Sequence, residues 1–157
     1  MYTVGKKAEN AFLRKKTKPF PFEKFSKADI RALVKTMREV MIEANGIGLA
    51  ANQIGLDISV FVAQDNGKFY SVFNPEIIKT STEKSPMEEG CLSVPTKYGE
   101  IERPEKVTLV GKDQNGKPLK IKAWGMLARI FQHETDHLNG KLFIDRAKNV
   151  RTLDSSL

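Results

Sequence analysis

Both histidines of the chain fall in one short window, His133-Glu134-Thr135-Asp136-His137. On a helix the first and last of these positions share a face, one turn apart. Two imidazoles placed that way can grip one metal ion, and Glu134 beside the first can take a proton from an attacking water. The flanking residues supply the helix. Leu127, Ile130, Phe131 and Leu138 form an apolar face from near Gly125 to about Asn139, and Gly140 follows as a C-terminal stop.

A catalytic site of this kind uses three protein ligands and leaves one position open. The metzincin pattern HExxHxxGxxH would place its Gly at Gly140 and its third ligand at Phe143, which cannot coordinate. Proteases that use a later Glu also fail, because the only carboxylates after His137 are Asp145 and Asp154. Upstream, the single cysteine stands in Glu88-Glu89-Gly90-Cys91-Leu92-Ser93-Val94-Pro95. A divalent ion would hold its thiol as thiolate, a strong ligand, and Gly90 permits close backbone approach. A lone Cys is otherwise a small buried hydrophobe, but two histidines that need a partner favour Cys91 as the third ligand. A further segment, Gly46-Ile47-Gly48-Leu49-Ala50-Ala51-Asn52-Gln53, lacks the spacing of a dinucleotide or P-loop fingerprint. It reads as a tight loop ending on an amide that can donate a hydrogen bond.

The elements that position these segments can be read from periodicity. The first twenty-five residues are basic and end in Pro19-Phe20-Pro21-Phe22, which predicts an extended arm over 1–25. Ser26 and Asp29 form a capping-box pattern, and Ile30, Leu33, Val34, Met37, Val40 and Met41 keep helical spacing to about Ala44. Strand-like runs follow at Ile58–Ala63, Phe69–Phe73, Glu76–Thr80, Lys106–Lys112 and Pro118–Ala123. Asn66-Gly67 and Asn115-Gly116 read as type I′ hairpin turns. The expected fold is α+β: a mainly antiparallel sheet packed around the metal-bearing helix, with an N-terminal helix. One catalytic domain is expected over 1–157, with a short polar tail over 148–157.

A length of 157 residues, 40% hydrophobic and 29% charged, suits one soluble domain. No apolar run approaches a membrane span, and the basic N-terminus lacks a secretory h-region, so the cytoplasm or an organelle interior is expected. One cysteine excludes an internal disulfide and fits a reducing compartment. The net charge of +7 is a weak bias toward polyanions. The lysines are spread through the chain with no aromatic-interleaved stripe, so no specific nucleic-acid binding is expected.

The three chemical segments closely resemble the motifs of the peptide deformylases: a GΦGΦAAxQ loop (Φ apolar) at Gly46–Gln53, an EGCLS turn at Glu89–Ser93 and a QHExDHL helix at Gln132–Leu138. The resemblance runs from about Leu13 to Asp145, with the motifs in order. It implies hydrolysis of the formyl group from the N-terminal formyl-methionine of nascent polypeptides, with release of formate. It also implies that Cys91, His133 and His137 hold a divalent ion, favouring Fe(II) with Zn(II), Ni(II) or Co(II) as substitutes. Glu134 would be the general base, and Gln53 with the Leu92 N–H would stabilise the oxyanion. Gly48 and Gly90 would line the substrate backbone. Ile47, Met87, Met126 and Ile130 would wall a methionine pocket, with Arg129 near its rim. Glu89 and Arg103 would pair to steady the cysteine turn. Trp124 departs from the family, where a smaller polar residue is common. The short C-terminal tail departs from members that dock a terminal helix on the ribosome, leaving at most a transient contact. Two alternatives stay open: an amidase for another N-acyl group, and a metal-binding protein without activity.

Overall fold

Ser26 starts the longest helix. Its Oγ accepts the Asp29 N–H at 3.0 Å, and the Asp29 carboxylate accepts the Ser26 N–H at 3.3 Å. In the computed structural model, which describes residues 1–153, that helix is α2 (Lys27–Glu43). It follows α1 (Lys7–Leu13) and precedes α3 (Gly125–Leu138). The strands are β1 (Gly48–Ala50), β2 (Val60–Asp65), β3 (Lys68–Thr80), β4 (Lys84–Cys91), β5 (Val94–Pro104), β6 (Lys106–Lys112), β7 (Pro118–Trp124) and β8 (Lys148–Thr152).

All the pairings are antiparallel. One sheet has the order β1-β2-β3-β6-β7, the other β4-β5-β8. The larger sheet separates two cores. Phe61 and Ala63 of β2, Leu109 of β6 and Ala123 of β7 meet Ala128, Ile130, Phe131 and Leu138 of α3. Val60 and Val62, on the opposite face of β2, meet Ile30, Val34, Met37 and Met41 of α2. Burial on both faces explains why β2 reads as a continuous apolar run rather than an alternating one. The rings of Phe61 and Phe131 lie 5.6 Å apart, and burial of each such side chain contributes about 1.5–3 kcal/mol. The α+β fold with its sheet on α3 is the one expected.

Several local expectations are corrected. The extended arm over 1–25 contains α1, which buries Leu13 completely and sets Phe12 edge-on to Tyr2. The Glu9 carboxylate anchors it by accepting the Thr3 N–H at 2.7 Å. The two runs at 69–73 and 76–80 are one strand, β3, broken in register between Phe73 and Glu76. Asn74 makes that break: it has φ 51°, its N–H bonds to the Ser59 carbonyl, and its Oδ1 accepts the Phe20 N–H. Asn66-Gly67 is the expected turn, with φ 48° and 74°. In the β6–β7 hairpin only Gly116 has positive φ. The Asp113 N–H bonds to the Lys117 carbonyl there, giving a three-residue loop with a glycine bulge rather than type I′. The polar tail contributes β8, which supplies backbone partners to the edge of β5.

Candidate active site

Three chain segments converge between the two sheets. α3 carries His133, Glu134 and His137. β4 ends on Cys91, and Leu92-Ser93 turn the chain into β5. β1 and the short helical turn after it carry Gly48 and Gln53. Cys91 Sγ lies 3.1 Å from His137 Nε2, which lies 3.2 Å from His133 Nε2. These three ligand atoms all fall within 4.8 Å of one another. A tetrahedral ion with bonds of about 2.0–2.3 Å separates its ligand atoms by roughly 3.3 Å, so the donor set fits one divalent ion.

Electrostatics ready the same atoms. Burial pushes the Cys91 thiol up, but the charge of His137 and hydrogen bonds with His133 and His137 bring it well below its usual value. Burial lowers the basicity of His133, yet its bonds to Cys91 and Glu89 and the nearby Glu134 carboxylate raise its pKa to about 10. Cys91 is thereby held toward thiolate, the form that binds metal. The Glu89 Oε1 occupies His133 Nδ1 at 2.8 Å, which fixes the ring and turns Nε2 to the site.

Glu89 is in turn held by two buried arginines. Arg103 bonds to it through Nε at 2.7 Å and Nη2 at 3.0 Å, and Arg129 Nη1 at 2.6 Å. Arg103 also reaches Asp136 at 2.9 Å. Thus the Glu89–Arg103 pair belongs to a larger network beneath the cysteine turn. Arg129 lines the cleft wall but is only 6% exposed, and its guanidinium points inward to Glu89 and to the carbonyls of Ile101 and Ser85.

Glu134 is 4% exposed, and its Oε2 makes no hydrogen bond among the described residues. Burial raises its pKa against the opposing pull of His133 and His137. Its carboxylate packs directly over the Gly48 Cα: a Cβ there would lie 2.9 Å from Glu134 Cδ and closer still to Oε1. Gln53 is equally fixed. Its Oε1 accepts the Ala50 N–H at 2.9 Å, so its Nε2 must face Ser93 Oγ at 3.1 Å and Cys91 Sγ at 3.6 Å.

A cleft of about 540 Å³ opens onto these groups. Of the residues expected to bind metal, act in catalysis or contact substrate, all line it except His137, which lies behind it at 1% exposure. Ile47, Met87 and Met126 are 54%, 39% and 41% exposed, so they are not core. Large apolar side chains left in solvent around one cleft mark a binding surface. Ile130, 4% exposed, packs in the core below them. Sequence reasoning missed Tyr98 of β5. Its ring lies against Gly90, where a Cβ would come within 2.6 Å of Tyr98 Cε1. Tyr98 stands opposite Gly90 only once β4 and β5 are paired.

The family model described as polypeptide deformylase matches residues 3–152. A peptide deformylase from Halothermothrix orenii is 44% identical over 148 residues, covering 92% of this chain and 93% of that protein. The structure of a peptide deformylase from Thermotoga maritima superposes with a TM-score of 0.85 at 35% identity, over 94% of this chain and 96% of that one. One from Synechococcus elongatus, in complex with actinonin, gives 0.85 at 37%, over 95% and 78%. The chain belongs to the polypeptide deformylases. It is accordingly an enzyme, a hydrolase that removes the N-formyl group from nascent peptides.

Proposed function

We propose that Cys91, His133 and His137 hold one divalent ion, Fe(II) in the native enzyme, with Zn(II), Ni(II) or Co(II) as substitutes, and that deformylation of formyl-methionyl chains occurs beside it. The observation that carries this reading is the donor spacing: three ligand atoms from two segments meet with Glu134 and Gln53 alongside. A thiolate among imidazoles suits Fe(II) as well as Zn(II). When bound, the ion supplies Lewis acidity that polarises the formyl carbonyl and acidifies water.

The protein's own groups do the rest. Glu134 takes the proton of the attacking water and returns it to the departing nitrogen. The Gln53 Nε2 and the Leu92 N–H donate to the developing oxyanion, on the order of 3 kcal/mol for one good donor. Gly48 and Gly90 flank the peptide backbone. Ile47, Met87, Met126 and Ile130 receive the methionine side chain, with Arg129 holding the wall. Residues 1–157 act as one catalytic domain in the cytoplasm. No helix of the described residues is long and apolar enough to cross a membrane.

The test is formate release from a formyl-Met peptide by enzyme purified without oxygen, paired with metal analysis of the same sample. One ion per chain and turnover of formyl-Met but not acetyl-Met peptides are expected. Equal turnover of both would make the enzyme a general N-acyl amidase.

A substitution probes the Gly48 contact. Gly48→Ala must push the Glu134 carboxylate aside. Misplacement of a catalytic group by about 1 Å costs on the order of 10²-fold, so kcat/KM should fall by about that factor. Metal content should stay at wild type. Unaltered kcat/KM would mean that Glu134 need not occupy the position described.

A further inference from the structure

α2 packs on β1 and β2, and the apolar cluster it forms there includes no residue of β6 or β7. Strand register assembles a pattern around β6 and β7 that is invisible in the sequence. Lys79 of β3 stands opposite Thr108 of β6, which stands opposite Lys122 of β7. One step along, Lys106 stands opposite Trp124. Val107 and Ala123 between them point to the α3 core, so Lys106, Lys122 and Trp124 share the outer face. Together with Thr80 and Ser81 they line a groove of about 610 Å³. Trp124 is 71% exposed and makes no side-chain hydrogen bond as the residue before α3. None of Lys79, Lys106 or Lys122 is in an ion pair among the described residues, although Glu105 precedes Lys106 and its N–H bonds to the carbonyl of Glu83.

We infer that this groove is a docking surface for single-stranded RNA, with phosphates on Lys79, Lys106 and Lys122 and a base stacked on Trp124. An unpaired lysine set answers a phosphate backbone, and an exposed indole at its edge answers a base. An acidic peptide would use the lysines but leave the ring in water. Binding is not sequence-specific, since the groove presents charge and a stacking plane rather than a rigid set of base-edge donors.

Trp124 is the only tryptophan, so its fluorescence reports on the groove alone. Titration of the intact protein with an oligouridylate at low salt is expected to quench it. At about 0.7 per phosphate contact, three contacts give a slope of log affinity against log salt of about −2. Lys79→Ala, Lys106→Ala and Lys122→Ala together should flatten that slope. Trp124→Ala should weaken binding of a labelled oligonucleotide about tenfold, with Trp124→Phe restoring much of the loss. All these variants should release formate from a free formyl-Met tripeptide at the wild-type rate, which reports an intact fold. Absence of quenching, or equal binding by the triple lysine variant, overturns the proposal. Equal quenching by polyglutamate also overturns it and makes the groove a site for acidic peptides.

Discussion

Glu134→Ala is expected to lower formate release from a formyl-Met peptide by about 10²–10⁴-fold, the usual worth of a positioned general base, with the metal still bound. Glu134 touches neither Cys91 nor the ring nitrogens of the two histidines through a hydrogen bond, so its loss leaves the ligand set whole. In the proposed mechanism, what it removes is the proton acceptor. Its Oε2 faces no partner among the described residues, and burial raises its pKa above the ordinary carboxylate value against the pull of His133 and His137. Ground-state binding should change little, so the loss belongs in kcat rather than KM. Glu134→Gln keeps the shape over Gly48 without the basicity and should fail equally. Metal content read by elemental analysis and kinetics measured on the same preparation decide the matter. Turnover at the wild-type rate in either variant would remove Glu134 from the reaction.

The chemistry of this site was more legible than the sheet that frames it. The two histidines announce themselves because helical spacing is local: residues i and i+4 meet whatever the rest of the chain does. β2, β6 and β7 could be read because their inward residues face a helix-covered core. β4 and β5 could not. Lys84–Cys91 and Val94–Pro104 carry proline, glycine and many charges, since much of their small sheet stands in solvent. Yet β4 and β5 place Cys91, Glu89 and Tyr98. The inward turn of the Arg129 guanidinium was equally hidden. In sequence a charged residue on α3 reads as rim, and only the fold reveals a carboxylate and two carbonyls waiting below it. The α1 segment was masked by the proline-rich stretch that follows it. The lysines of the β6–β7 face looked scattered because their proximity depends on cross-strand register, which composition does not encode.

Glu89→Ala should damage the fold and the metal site together. The substitution strands Arg103, 2% exposed, and Arg129, 6% exposed, without their shared anion. Breaking a buried pair from one side costs about 3–5 kcal/mol, because the remaining charge stays desolvated. Asp136 still meets Arg103 and Arg146, which softens the loss at Arg103 but not at Arg129. For a chain of this size the melting temperature should fall by roughly 10 °C. His133 would also lose the acceptor on Nδ1 that fixes its ring, and loss of such a partner weakens metal binding about 10–100-fold. Melting the metal-stripped protein separates the two effects, since destabilisation that persists without metal belongs to the arginines. Acid offers an independent check on the wild type. Burial pushes the Glu89 carboxyl up, but hydrogen bonds with His133 and Arg103 outweigh it and hold the pKa at about 2, against an ordinary 4.5. The folded value is depressed, so the stability it contributes is complete above 4.5 and drains as the pH falls from there toward 2. Metal-stripped wild type should lose stability through that window, whereas Glu89→Gln, which has no proton to gain there, should start lower and lose less. Parallel acid curves for the two proteins would show that the arginines do not depend on the Glu89 charge.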